Sequence, residues 1–417
     1  MSELHPKFIE RSQLLDDSIA CKRTDRCLTA PFYTYLPILL YNETTIADTM
    51  KDWRNAIPSY YRYHEEFQPD LAYGPEAIFP GSALEALDCQ FVRWPGKHFP
   101  DSKIGFQVLD QEDGYMHEDE YLEYAEDPTG FLMKKILPKH WKKLEGFANL
   151  DFSMAVWHGM LYSTLPALDP KVKEAFDAII DCSKIMGEQV AADGEFYATM
   201  AQKGFPSGAD LVTSAPFDIF NDTLRGFLNV SMDMYTCPDE LKQAVDAATK
   251  IQVRYLKNTI KSRPLKIVGF MLHNGFDMFM SKEQFETFYW PGLKACIDVC
   301  VENNVIPWIY VEDSFMAKLD ILECDCPAGK VMFTFTGTND MKAIKERWGG
   351  RYCLKGGLQG SVLEYGTKED VVKMVKEAID IYAPGGGFIL DTDVTLDNAN
   401  PENLRVLFET AKDYMKY

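Results

Sequence analysis

Downstream of residue 265 the chain repeats one design five times: a short apolar run, a polar or glycine-rich tip, then a helical pattern. The runs are IVGFMLHNGFD from Ile267, VIPWIYVEDSF from Val305, VMFTFTGTND from Val331, YCLKGGLQG from Tyr352 and GGFILDTDVTLD from Gly386. Runs of β-branched and aromatic residues without polar alternation are strands buried on both faces, and strands that alternate with helices pair in parallel. This many units without a doubly wound fingerprint predict a single α/β barrel. Such a barrel presents the residues at its strand tips to one shared pocket. His273, Asp277, Glu312, Asp313, Thr336, Gln359, Asp391 and Asp393 are those tip residues.

The helices between the runs carry their own punctuation. Ser281 with Gln284 makes a capping box, Thr367 caps a helix that stops at Pro384 and three glycines, and Asn400-Pro401 opens the last one. Upstream, Asp169-Pro170 and Pro238-Asp239 each open a helix, the first expected to run to about Val190. PFYTYLPILL from Pro31 reads as a first strand or buried segment, and Leu71 to Gly81 as a Gly- and Pro-rich loop. Asp88 to Glu126 reads as a hairpin and loop insertion, and Lys203 to Asn221 as a broken connection near the pocket. No internal repeat or linker divides the chain, so residues 1–417 are expected to form one domain. Residues 1–150 would supply an N-terminal extension and the first barrel elements.

Composition excludes several partners. A formal net charge of −20, with no Lys/Arg-rich run, argues against nucleic acid and anionic membrane surfaces. No apolar run approaches a membrane span of roughly 20 residues, and the N-terminus lacks the apolar core of a signal peptide. Ten cysteines without a disulfide-like framework suit a reducing cytoplasm. Cys324-x-Cys326 alone is a weak metal signal. Phosphate-loop, dinucleotide and nucleophile-elbow signatures are absent, and Gly385 to Gly387 precede a strand instead of following one. One imidazole with several carboxylates suits a divalent metal such as zinc. The bland alternatives are a hydrogen-bonded structural histidine and carboxylates that cap helices or pair with lysine and arginine.

GGFILDTDVTLDNANPENLRVLFETAKDY resembles the carboxy-terminal signature of the uroporphyrinogen decarboxylase superfamily, and FMSKEQFETFYWPGLK and GLQGSVLEYGTKEDVVKMV resemble its preceding segments. APFDIFNDTLRG and MDMYTCPDEL resemble its branch of corrinoid-dependent methyltransferases, which demethylate methoxyaromatic compounds. The resemblance is best over residues 200–417. It implies a single distorted (β/α)8 TIM-type barrel, with an N-terminal extension and loop insertions, that moves a methyl group from a methoxylated aromatic to the Co(I) corrinoid of a separate small cobalamin-binding protein. It implies zinc held by His273, Glu312 and Asp393, with Asp313 and Asp391 as catalytic carboxylates and Asp277 orienting them. Asp218, Asn221, Asp222, Arg225, Asn274 and Gln359 would then line the substrate pocket, and a homodimer is among the allowed assemblies.

Two departures keep alternatives open. WRNAIPSYYRYHEEF replaces the arginine-rich motif of true uroporphyrinogen decarboxylases, and the acidic composition opposes a polyanionic tetrapyrrole. YVEDSF lacks the His-x-Cys pair of thiol-directed methyltransferases, so an oxygen-rich site is expected. A decarboxylase-like lyase, a methylcobamide:thiol methyltransferase and a non-catalytic binding barrel are the rivals.

Overall fold

In a computed structural model describing residues 5–75, 78–101, 103–109, 112–152, 158–324, 326–414, the expected alternation closes into a ring. Residues 76–77 of the Gly- and Pro-rich loop, and 102 and 110–111 of the acidic insertion, lie outside that description. Seven strands run parallel: β1 (Leu28–Thr29), β2 (Leu211–Ser214), β3 (Ile267–Leu272), β4 (Ile306–Val311), β5 (Met332–Phe335), β6 (Cys353–Leu358) and β7 (Phe388–Thr392). Their order is β1-β7-β6-β5-β4-β3-β2. The five runs after residue 265 are therefore the five strands β3 to β7.

The remaining gap, between β1 and β2, is filled without a regular strand. Asp70 N donates to Thr29 O at 2.9 Å, and Thr29 N returns a bond to Asp70 Oδ2 at 2.9 Å. On the other side Ala72 N donates to Pro206 O at 2.8 Å and Gly208 N to Ala72 O at 2.9 Å. Residues 70–73 are thus the eighth stave, and the α/β barrel is closed but distorted there. Asp70, buried to 4% exposure, also accepts Arg26 at 2.7 and 2.8 Å and Arg11 at 3.3 Å. Arg11 lies on α1 (Pro6–Ile19), so the N-terminal extension clamps this irregular seam.

Three expectations change. The first strand precedes PFYTYLPILL, whose Leu36–Tyr41 part is helical with proline in the first turn. The broken connection from Lys203 contains β2, four residues that no local pattern marks. The helix opened by Asp169 and Pro170 is Pro170–Gln202, well beyond Val190. It packs a small separate core (Leu144, Phe147, Leu150, Val172, Ala175, Ala178) outside the main one. The capping boxes at Ser281 and Thr367 form as expected. The hairpin of the insertion is Val92–Arg93 paired with Gln107–Val108. Among the described residues no helix is long and apolar enough to cross a membrane.

Candidate active site

Three strand ends carry the site. β2 runs into the tight helical turn Phe220–Leu224, β3 delivers His273 and Asn274, and β4 delivers Glu312. His273 Nδ1 donates to Asp222 Oδ2 at 2.6 Å, and 45% of the His273 side chain remains exposed. That hydrogen bond, and then the charge of Asp222, overcome partial burial and raise the imidazolium to about 9. Asn274, almost fully buried, bridges the group: its Nδ2 donates to Asp218 Oδ1 at 3.1 Å and Asp222 Oδ1 at 3.2 Å. Asp218 has no exposure and also accepts Tyr289 OH at 2.9 Å and Ala215 N at 3.2 Å. Burial, reinforced by the neighbouring Asp222 charge, pushes its carboxyl up to about 7. Burial likewise raises Glu312, against the pull of His273. Asn221 Nδ2 donates to Asp222 Oδ1 at 3.0 Å, while its buried Oδ1 has no donor among the described residues.

Glu312 is held by the loop behind it. Asp313 adopts φ +59°, a left-handed conformation that its own side chain supports by accepting Ser314 N at 2.7 Å. Asn339 Nδ2 donates to Asp313 O at 2.7 Å and Asn339 Oδ1 accepts Phe315 N at 2.9 Å. Asp277 braces the same loop. Its backbone N donates to Ser314 O at 2.7 Å, and its carboxylate accepts Ser314 Oγ at 2.7 Å and faces the buried Lys318 Nζ at 3.2 Å. Asp277 thus braces the loop that follows Glu312.

Deeper in the ring, Lys355 and Asp391 form a fully buried pair at 3.0 Å. Asp391 also accepts Phe32 N at 2.6 Å and Thr392 N at 2.7 Å, and Lys355 donates to Tyr73 OH at 2.8 Å. The Lys355 ammonium lies 4.2 Å from the centre of the Trp308 ring. Burial alone would discharge it, but Asp391 and Tyr73 hold its pKa above the ordinary value. Asp391 is therefore engaged in holding β7 to Phe32, behind β1, and to β6. Asp393 accepts Gly360 N at 3.0 Å and lies against Gly337, while Gln359 is exposed at the start of a short helix.

Arg225 is not open to a ligand. Its guanidinium pairs with buried Asp233 at 2.7 and 3.0 Å and donates to Met116 O at 2.7 Å and Asp113 O at 3.1 Å. Of the sequence candidates, Asp218, Asn221, Asp222, His273, Asn274 and Glu312 come together; Asp277, Asp313, Arg225, Asp391 and Asp393 are engaged by the other partners given above, and Gln359 is exposed. The set His273, Glu312 and Asp393 expected to hold zinc does not fit. Asp393 is committed to Gly360, and among the described residues no three His, Cys, Asp or Glu side chains gather as a metal site. Two residues were missed. Tyr289 looks like one more apolar residue of its helix, whereas Lys355 was signalled by a charge inside an apolar strand.

Residues 211–414 match the family model described as uroporphyrinogen decarboxylase (URO-D). That stretch is similar to a URO-D domain. It supplies β2 to β7 and every residue of the His273 cluster. No curated protein matches the chain in sequence. Among solved structures it is similar to a methyltransferase from Methanosarcina mazei, with 15% identity and a TM-score of 0.59. The match covers 97% of this chain and 98% of that one. At that identity the likeness shows a shared fold. A B12-independent methionine synthase from Shewanella sp. W3-18-1, in complex with selenomethionine, is only slightly similar (TM-score 0.33, 12% identity, 49% and 60% covered).

Proposed function

We propose that this protein is a methyltransferase that removes the methyl group of an aryl methyl ether and passes it to the reduced corrinoid of a separate protein. The observation that carries the reading is the His273–Asp222 pair at the open end of the barrel. A half-exposed imidazolium held by a carboxylate is a proton donor aimed at substrate, and a departing phenolate oxygen needs one. The corrinoid acts here as a co-substrate that supplies the nucleophile for the methyl carbon. The protein's own residues then do three things. Phe276 and Phe279, on the loop after His273, with Phe227 at 4.6 Å from Phe279, offer an aromatic ledge for a flat ring. His273 gives its proton to the ether oxygen as the bond to the methyl carbon breaks, so that a phenol leaves and one proton is consumed per methyl transferred. Asp222, steadied by Asn274 and Asn221, fixes the imidazole ring and stabilises its charge.

The zinc expected from the sequence enters no step, because the donor set does not assemble. A decarboxylase acting on a polyanionic substrate is disfavoured by Arg225, Lys318 and Lys355, each already paired with a carboxylate. The test follows free cob(I)alamin by absorbance with methoxybenzenes as donors, comparing the protein with His273→Gln and measuring bound zinc in parallel. Methylation lost in the variant, in zinc-free protein, supports the reading. Absence of methylation by the native protein with every donor defeats it. Stoichiometric zinc that disappears in the variant would make His273 a ligand instead of an acid.

A further inference from the structure

We infer that two copies of this chain associate through the exposed face of the long helix Pro170–Gln202, the two helices lying antiparallel across a twofold axis. The helix lies outside residues 211–414, so the inference stands apart from the family match and from the methyltransferase reading.

The helix is apolar on two opposite faces. One is already covered. Val172, Ala175 and Ala178 pack on Leu144, Phe147 and Leu150, and Ala192, Phe196 and Met200 enter the main core. The other face is open. From Phe176, steps of four and three residues alternate through Ile180, Ser183, Gly187, Val190 and Gly194. That spacing averages about 3.5 residues, the period of a seam between two helices. Phe176, Ile180 and Val190 are 44%, 52% and 65% exposed, and Ile179 and Met186 lie exposed along one flank. Among the described residues nothing stands within 4 Å of where a Cβ on Gly187 or Gly194 would lie. Glycine weakens a helix interior, and here it leaves room for a close approach. The two short helices just before, His158–Tyr162 and Leu165–Leu168, add exposed Leu161, Tyr162 and Leu168, so the apolar surface exceeds scattered single side chains.

The face complements itself. About an axis between Asp181 and Cys182, Ile180 meets the partner's Ser183, and Phe176 meets the partner's Gly187, a ring over the space that a missing side chain leaves. Phe176 leans on Phe147 with ring centres 5.3 Å apart, which steadies the exposed ring. On one flank Ile179 meets the partner's Met186. On the other Asp177 meets the partner's Lys184, opposite charges, and the axis makes each contact twice. The present partners of these two, Lys173 and Asp181, sit on the exposed surface of the same helix, where pairs are worth little and exchange is cheap. A parallel pair would set Gly187 on Gly187 and Lys173 on Lys173, a void and a like-charge contact. The chain's net charge of −20 opposes contact between copies over most of its surface. Here the seam is apolar and the charges beside it balance, so two copies meet at least electrostatic cost.

Sedimentation velocity on the full chain over about 1–100 µM reads the association, with circular dichroism confirming that each variant is folded. The native chain should sediment as a dimer. Ile180→Glu should raise the dissociation constant at least about 100-fold, because it forces a carboxylate into the seam. Asp177→Lys and Lys184→Asp should each weaken the dimer by about fivefold or more, since each sets like charges together twice, and both changes in one chain should restore it. A monomer at every concentration overturns the inference, and a monomer that floats with phosphatidylcholine vesicles gives the face to a lipid surface. A dimer indifferent to Ile180→Glu puts the contact elsewhere. A dimer that the charge swap fails to restore refutes the antiparallel register.

Discussion

The buried Lys355–Asp391 pair gives the sharpest test of how the barrel is held. Asp391 Oδ1 accepts Phe32 N and Thr392 N while Oδ2 faces Lys355, so one carboxylate joins β7, β6 and the segment after β1. Asp391→Asn keeps the shape and one acceptor but turns an amide NH2 towards an ammonium that has no exposure. Breaking a fully buried pair from one side costs about 3–5 kcal/mol, because the partner is left charged and unpaired. Unfolding entropy of roughly 2.1 cal/mol/K per residue gives about 0.9 kcal/mol/K for 417 residues, so the melting temperature should fall by ~3–6 °C. Lys355→Met should cost a similar amount. The double variant should recover most of the loss, since replacing both partners leaves no orphan charge. Differential scanning calorimetry on the four proteins reads the cycle. The reasoning is refuted if Asp391→Asn shifts the melt by less than about 1 °C, or if the double variant loses the sum of the singles. Lost methyl transfer with unchanged stability would return Asp391 to the chemistry for which the sequence nominated it.

Three further outcomes are expected. Arg225→Ala leaves Asp233 buried with Tyr121 alone and should destabilise by about 3–5 kcal/mol in a denaturant titration, whether or not substrate is present. With the His273 imidazolium at about 9, turnover should stay high to about pH 9 and fall above it. Asp222→Asn should move that limb down towards the ordinary histidine range near 6.5 and cost ~10²–10⁴ in kcat at pH 8, and an unmoved limb counts against His273 as the acid. Asp218 keeps its proton to about 7 in the folded protein, whereas the unfolded chain releases it near 4. Folding stability from this group is therefore complete below about pH 4 and lost as pH rises through 7. Asp218→Asn should flatten the slope of melting temperature between pH 4 and 7, and a slope that persists would assign the titration to another group.

What the sequence disclosed follows from where the information resides. β3 to β7 are apolar enough on both faces to announce themselves, and the capping residues between them mark the helices. β2 is only Leu-Val-Thr-Ser and mostly not buried, residues 70–73 form no regular strand, and β1 is just Leu-Thr. β1 pairs with β7, and residues 70–73 with the chain near Ser207, neighbours more than a hundred residues away that no local window contains. The site divides in the same way. His273 and Glu312 were legible because a strand ending on a polar tip points into a barrel mouth. The expectation that Arg225 would meet substrate, and that Asp393 would share a metal with them, depended on the partner each had already found, the Asp233 carboxylate for one and the Gly360 backbone N–H for the other. A buried ion pair is a tertiary fact, and the residue type alone does not reveal whether its charge is free.

The irregular eighth stave has a consequence for the order in which this molecule can assemble. During synthesis Leu28 and Asp70 emerge early, yet the stave's other neighbour lies near Pro206 and the second neighbour of β1 is Ile389. Until β7 has left the ribosome, β1 keeps an open edge, and contacts of such long sequence separation form slowly. Arg11 and Arg26 reach Asp70 from within the first seventy residues, so they can pin this corner while most of the barrel is still unmade. Chains that lose the early clamp should spend longer with exposed strand edges and be captured more often by aggregation or by chaperones, even where the finished barrel is only modestly less stable.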